Sequence, residues 1–338
     1  MSSEESLLGP ADPALATDTS NQSWGEVIVE GNADKIKSRL ERELADLVKK
    51  WSRRLHGYTL LFFYTDERID SEDADKIYQA LQGIKPSQRK NVLLVLVSNG
   101  GYVVPAYQIS KLCREWSKDE FIVAAPRHAK SAATLICLGA DAVHMGPLSH
   151  LGPIDPQIKG VSGLAHRASL EAITKWVSEH PGSHELWSEI LSNDESFDYF
   201  DVGDFDRSVE SAVQYGERLL VAGKSDPERA AVISRKLVYE YKDHGFAIDR
   251  EEAIGIFGEA SIVINSNELS FSEEAYSLVS YVDKGLRALE FDGSNVVQGG
   301  IKVVGALDDC VIVLPPSVPR QRRLYFPEES GAEAPRRP

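Results

Sequence analysis

The 338-residue sequence is poor in cysteine: Cys113, Cys137 and Cys310 all lie inside apolar segments, and none belongs to a C-x-x-C pair. A disulfide framework and a thiolate zinc site are therefore not expected, and buried thiols in a reducing cytoplasm are the plain reading. Long apolar runs are also missing. No stretch approaches the roughly 18 to 20 residues that a membrane helix requires, and the start, MSSEESLLGPADPALATDTSNQS, has neither a basic n-region nor an apolar h-region. The expectation is a cytoplasmic chain that neither spans a membrane nor is secreted. Basic charge is scarce: 37 Lys and Arg against 52 Asp and Glu leave −15, the wrong sign for a nucleic-acid groove. There is no GxxxxGK[ST] loop, so ATP-driven unfolding of a substrate would need a separate partner protein. Asp66, Glu67 and Asp70, and likewise Asp194, Glu195 and Asp198, lack calcium-loop spacing; His180 and His184 have no nearby cysteine. No metal or cofactor is expected.

What is present is enough apolar residue, 42%, to bury a substantial core. From Ala33 to Leu55 the apolar positions Ile36, Leu40, Leu44, Leu47, Val48, Trp51 and Leu55 recur at steps of three and four, which predicts a helix. YTLLFFYT at 58–65 reads as a buried strand and 70–81 as a short amphipathic helix. NVLLVLV at 91–97 is the most apolar strand, followed by a helix over 103–116, a strand over 121–125, a helix over 132–139 and a strand over 141–145. Strand and helix alternate with short connections, which predicts a parallel sheet with its site at the carboxyl ends of the strands. The second half reads as helices at 164–179, 206–222, 227–243, 250–256 and 273–289, with a late apolar run at 301–314. Residues 1–23 and 327–338 are expected to be disordered tails, 24–160 an α/β core carrying the site, and 161–326 a helical extension. Between Lys175 and Arg207 there is no Lys or Arg and there are nine Asp or Glu. Such a run is read as a solvated face before it is read as a surface for a cationic partner.

Two segments meet the strand-end rule. Asn99-Gly100-Gly101 follows the strand NVLLVLV, and paired glycines let a backbone N–H approach a ligand closely. The second is PRHAKSAAT at 126–134, where a strand breaks at Pro126 and a helix of small residues begins near Ser131. A serine at that corner is either an N-cap, worth about 1 kcal/mol, or a nucleophile. In the second role the Ala132 N–H at the helix start, with the Gly101 N–H as second donor, would stabilise an oxyanion. The residues alone leave both open and lean to the cap.

The ordered motifs SNGG, AKSAATLICLGADAVHMGP and LGPIDPQ, with HGFAIDREEA at 244–253, resemble the Clp-fold serine peptidases. They are most similar to the serine dehydrogenase proteinase (SDH) branch, itself similar to signal peptide peptidase A. The resemblance spans about residues 58–160. It implies a Clp/crotonase-type ββα superhelix with a parallel sheet, Ser131 as nucleophile, and the Gly101 and Ala132 amides as oxyanion donors. It also implies an extended peptide or protein substrate added as a strand beside Gly100 and Gly101 and near Leu151, Gly152 and Ile154, and a homo-oligomer.

The base is where the chain departs from the Clp pattern. The position of the family histidine falls at Ile154 or Asp155, where there is none. Gly152-Pro153-Ile154 instead resembles the segment of signal peptide peptidase A, whose relatives use a Ser-Lys dyad, and Lys175 in LEAITKWVSE stands as the lysine on a downstream helix. A surface lysine on an amphipathic helix is the competing reading. His150 is the rival base and His128 a further one; Asp155 would orient a base or cap a turn. The function expected is peptide-bond hydrolysis through an acyl-enzyme on Ser131. The alternatives are an inactive peptide-binding scaffold and a crotonase-like acyl-CoA enzyme.

Overall fold

A computed structural model describes residues 22–158, 161–193, 199–291, 300–306 and 311–313. The expected tails, apart from Gln22 and Ser23, and the cluster Asp194, Glu195 and Asp198 lie outside the described residues, as does Cys310. The chain opens with helices α1 (Trp24–Glu30) and α2 (Ala33–Trp51). It then alternates through β1 (Tyr58–Thr65), α3 (Ser71–Gln82), β2 (Asn91–Ser98), α4 (Val103–Trp116) and β3 (Phe121–Ala125). Next come β4 (His128–Ala129), α5 (Ala132–Leu138), β5 (Ala142–Met145), β6 (His150–Leu151) and the hairpin β7 (Gln157–Ile158) and β8 (Val161–Ser162). The helical half holds α6 (Gly163–Glu179), α7 (His184–Asn193), α8 (Tyr199–Ala222), α9 (Pro227–Tyr239), α10 (Arg250–Phe257) and α11 (Asn267–Phe291). It also contributes β9 (Ile262–Val263), β10 (Lys302–Ala306) and β11 (Val311–Val313).

The main sheet runs β11-β10-β1-β2-β3-β5-β9. From β1 to β9 the neighbours are parallel, as the alternation predicts, while β10 joins β1 antiparallel and β11 joins β10 antiparallel. The expected parallel sheet therefore gains an antiparallel edge, made by the late apolar run. Side chains alternate across the strands, so both faces are buried. Val92, Leu94 and Leu96 of β2 join one core with α4, α5, α8 and α9; Leu93 and Val95 join a second with α1, α2 and α11. Two-sided burial is why β1, β2 and β3 read as unbroken apolar runs rather than alternating ones.

The sheet forks where the site lies. Strand β2 pairs with β3 as far as Val95↔Ala124, and then its last residue, Ser98, pairs with Ala129 of β4. Strand β4 in turn pairs with β6, and Leu151 of β6 bridges Ile248 antiparallel. These short branches carry the chain from Ala125 to Ser131 across the carboxyl end of the sheet. Two-residue strands have no periodicity, which is why the sequence shows them only as a loop.

Candidate active site

Ser131 stands at the N-cap of α5 with φ 52° and ψ −119°, and its hydroxyl makes no capping bond to the first turn. The cap reading is therefore overturned. Positive φ in a non-glycine residue costs on the order of 1–3 kcal/mol and persists only where the surroundings impose it. Thr134 is one such constraint. Its buried hydroxyl has one proton, shared between the carbonyls of Ala129 (2.7 Å) and Gly152 (2.8 Å), and it accepts from the Gly152 N–H (3.0 Å). One side chain thus ties α5, the end of β4 and the segment after β6 around the serine.

Gly100 is required by angle as well as by contact, and Gly101 by contact. Gly100 has φ +105°, and a Cβ there would fall 2.7 Å from the Lys130 carbonyl oxygen, 2.8 Å from Ser131 Cβ and 3.0 Å from the Ala132 nitrogen. Its N–H donates to Ser98 Oγ at 3.0 Å. At Gly101 a Cβ would lie 2.1 Å from the Ile69 nitrogen, because Ile69 bridges this residue. The Ile69 N–H donates to Gly100 O (3.0 Å) and the Tyr102 N–H to Ile69 O (2.8 Å). Groups on one strand point alternately to its two sides, so the Gly101 N–H is directed away from Ile69.

A cavity of about 620 Å³ opens over this corner, lined among others by Gly100, Gly101, Tyr102, Ser131, Ile154 and Gln157. It also receives Asp155 and His244. The His244 Nδ1 lies 3.6 Å from Asp155 Oδ2, with the carboxylate side chain 8% exposed and the imidazole 31%. Asp155 Oδ1 and His244 Nδ1 are both buried without a hydrogen-bond partner among the described residues. A buried carboxylate thus faces an unpartnered imidazole nitrogen at slightly more than bonding distance, and buried polar atoms without partners are uncommon.

Lys175 and His150 are not brought to this cavity. Lys175 is 75% exposed on α6, lies 3.9 Å from Glu179, and lines a separate groove between α6 and α8 with Leu170 and Phe205. The amphipathic pattern placed it at the border of an apolar face that turns to solvent instead of to Ser131. His150 sits on β6 opposite His128, ring centroids 6.1 Å apart. Burial, and then the nearby Lys130 charge, hold His150 below the ordinary histidine range; burial likewise lowers His128, against the pull of Asp66. The expected strand addition at 151–154 is corrected as well. The Leu151 N–H goes to Ile248 O, the Gly152 N–H to Thr134 and the Ile154 N–H to Leu237 O, so that edge is already occupied. Ile154 still lines the cavity with its side chain.

His244 reaches this cavity although no expectation placed it there. It opens HGFAIDREEA, a segment read as part of the resemblance but not as the source of a base, and Asp155 lies in LGPIDPQ. Among the described residues no group of three or more His, Cys, Asp or Glu comes together as a metal site, and no helix is long and apolar enough to cross a membrane.

Residues 38–179 match the ClpP-like SDH-type serine proteinases. The match covers the strands β1 to β3, the glycine pair and Ser131, and it bears out the resemblance and the Clp-type fold. Beyond it, an uncharacterized protein of Methanocaldococcus jannaschii is 26% identical over 219 residues, 65% of this chain and 67% of that relative. A second from the same organism is 29% identical over 119 residues, 35% of this chain and 40% of the relative's length. Among solved structures, a serine-to-alanine variant of the 1510-N membrane-bound stomatin-specific protease aligns at 15% identity and TM-score 0.40, covering 64% of this chain and 83% of that one. ClpP1 from Listeria monocytogenes aligns at 15% and 0.38, covering 66% and 99%. The SDH-type match ends at 179, so His244 lies outside it.

Proposed function

We propose that the protein is a serine peptidase in which Ser131 attacks the scissile carbonyl, His244 takes the hydroxyl proton, and Asp155 orients the imidazole. The observation that carries the reading is the strained, uncapped Ser131 opening into the same cavity as the buried Asp155–His244 pair. The chemistry follows the order of the parts. Transfer of the proton to His244 frees the Ser131 oxygen to bond to the carbonyl carbon, and the imidazolium that forms is stabilised by the Asp155 carboxylate. Negative charge moves to the carbonyl oxygen. The Gly101 N–H, turned away from Ile69, and the Ala132 N–H, which has no helical acceptor at the first position of α5, are the donors for it. The imidazolium then returns its proton to the leaving amine, and water, activated by the same imidazole, hydrolyses the acyl-enzyme. A peptide would enter along Gly101 and Tyr102, with Ile154 and Gln157 across the cavity. Assembly of several copies belongs to the same proposal, and sedimentation of the purified chain tests it.

The test is labelling with a fluorophosphonate probe and turnover of a peptide library, comparing the wild type with S131A and H244Q. The reading expects labelling of the wild type, none of S131A and a rate lowered about 10³-fold or more in H244Q. Peptide binding without labelling or turnover in the wild type would favour the inactive scaffold, and thioester binding without labelling the crotonase-like enzyme.

A further inference from the structure

Lys130 stands between the nucleophile and the turn that carries His244. Its backbone is fixed on both sides: its N–H donates to Ser98 O at 3.0 Å, and its carbonyl accepts from the Ala133 N–H at 2.9 Å. Its stem is packed against Gly152, where a Cβ would come within 3.2 Å of both Lys130 Cβ and Cγ. The ammonium ends on the carbonyl of Gly245 at 3.2 Å, a bond between residues 115 positions apart. Gly245 directly follows His244. The turn is also bonded within itself: the Gly245 N–H donates to Asp243 Oδ1 (2.8 Å), the Phe246 N–H to Asp243 O (3.0 Å), and Phe246 rests on Tyr241 with ring centroids 4.9 Å apart. Those contacts shape the turn, and the Leu151–Ile248 bridge just beyond it brings it near Asp155; the Lys130 bond ties it directly to the residue that precedes Ser131.

We propose that Lys130 is a positioning residue for the base, its ammonium holding the 243–246 turn so that the His244 imidazole faces Ser131 and Asp155. The proposal rests on the reading of His244 as the base. A charged donor suits the task because its bond to a carbonyl is stronger than that of a neutral one, and the flexible stem is steadied by Gly152. The same bond directs the Lys130 Nζ to the carbonyl beside His244. The side chain after which the nucleophile follows in sequence thus links two parts of the site that the chain itself keeps far apart.

The experiment measures the rate of fluorophosphonate labelling at Ser131, with the urea midpoint as control, for K130M, K130R, H244Q and K130M/H244Q. K130M is expected to label about tenfold more slowly with an unchanged midpoint, and K130R to stay within about threefold of the wild type, because a guanidinium also donates. In a peptide assay the loss falls on kcat, with KM nearly unchanged. On the H244Q background, K130M is expected to cost nothing further, the signature of a group that acts through another. Wild-type labelling by K130M, a K130R as slow as K130M, or a further tenfold loss in the double variant would each overturn the positioning role. Wild-type labelling by H244Q would overturn the base itself, and Lys130's role with it, and is read from that single variant alone.

Discussion

Replacing Gly100 by alanine tests the architecture of the nucleophile corner with a single methyl group. At the present geometry that methyl would sit 2.7 Å from the Lys130 carbonyl oxygen and 2.8 Å from Ser131 Cβ. Raising the shorter contact to the 3.4 Å at which ordinary packing begins moves the end of β2 and the serine corner apart by 0.7 Å. Neither side is a flexible tip: one is strand end, the other a backbone held by Thr134. Positive φ in alanine adds on the order of 1–3 kcal/mol and overpacking about 1–3 kcal/mol, so G100A is expected to lose about 2–6 kcal/mol out of a typical total of about 5–15 kcal/mol. The separation also acts on function, because it spreads the Gly101 and Ala132 amides. A misplacement of about 1 Å costs on the order of 100-fold in rate, so labelling of Ser131 should fall about 10- to 100-fold under conditions where the variant remains folded. Urea unfolding and probe kinetics measure the two effects separately. A variant with wild-type midpoint and wild-type labelling would refute the claim that the glycine strand end and the serine corner are packed into one rigid unit.

Thr134→Val should cost about 2–4 kcal/mol in urea, since it strands two buried carbonyls and the Gly152 N–H, with labelling lost in parallel. Stability should fall on acidification through the ordinary histidine range: burial holds His128, His144 and His150 below their usual values, so the unfolded chain takes up protons first and the favourable term present at neutral pH disappears. H128N and H150N should flatten that dependence in urea midpoints measured between about pH 5 and 7.5. Lys302→Met removes the ammonium 2.7 Å from the fully buried Asp73 and should cost about 3–5 kcal/mol at neutral pH. Because burial already raises the Asp73 carboxyl and Lys302 opposes that rise, the deficit should shrink at low pH as Asp73 protonates; a deficit independent of pH would contradict this.

The parts of the fold that the sequence revealed are those whose signal is local. Strands β1 to β3 are buried on both faces and so spell out apolar runs; α2 and α4 each bury one face and repeat at helical steps. The serine corner and the glycine pair were legible for the same reason, since each is one short segment whose residue types are dictated by its own backbone. The antiparallel edge was not, because direction is decided by how the chain returns after α11. Strands β4 and β6 are too short to carry a period, and α1 is a seven-residue helix whose N-cap, Ser23, is the last residue of the expected tail. The base was the hardest. Lys175 was placed by its position after the serine and His150 by its nearness to it, but the Leu151–Ile248 bridge folds the chain back and delivers His244 to Asp155. Proximity along the sequence is a poor guide where a long-range backbone pair sets the geometry.

Activation of Ser131 by His244 is measured by the intact mass of fluorophosphonate adducts over time, using the wild type, S131A and H244Q at matched folded concentration. One adduct is expected on the wild type, mapped to Ser131, none on S131A, and formation slowed about 10³-fold or more in H244Q. Equal adduct formation on S131A, or an H244Q rate equal to that of the wild type, would contradict it.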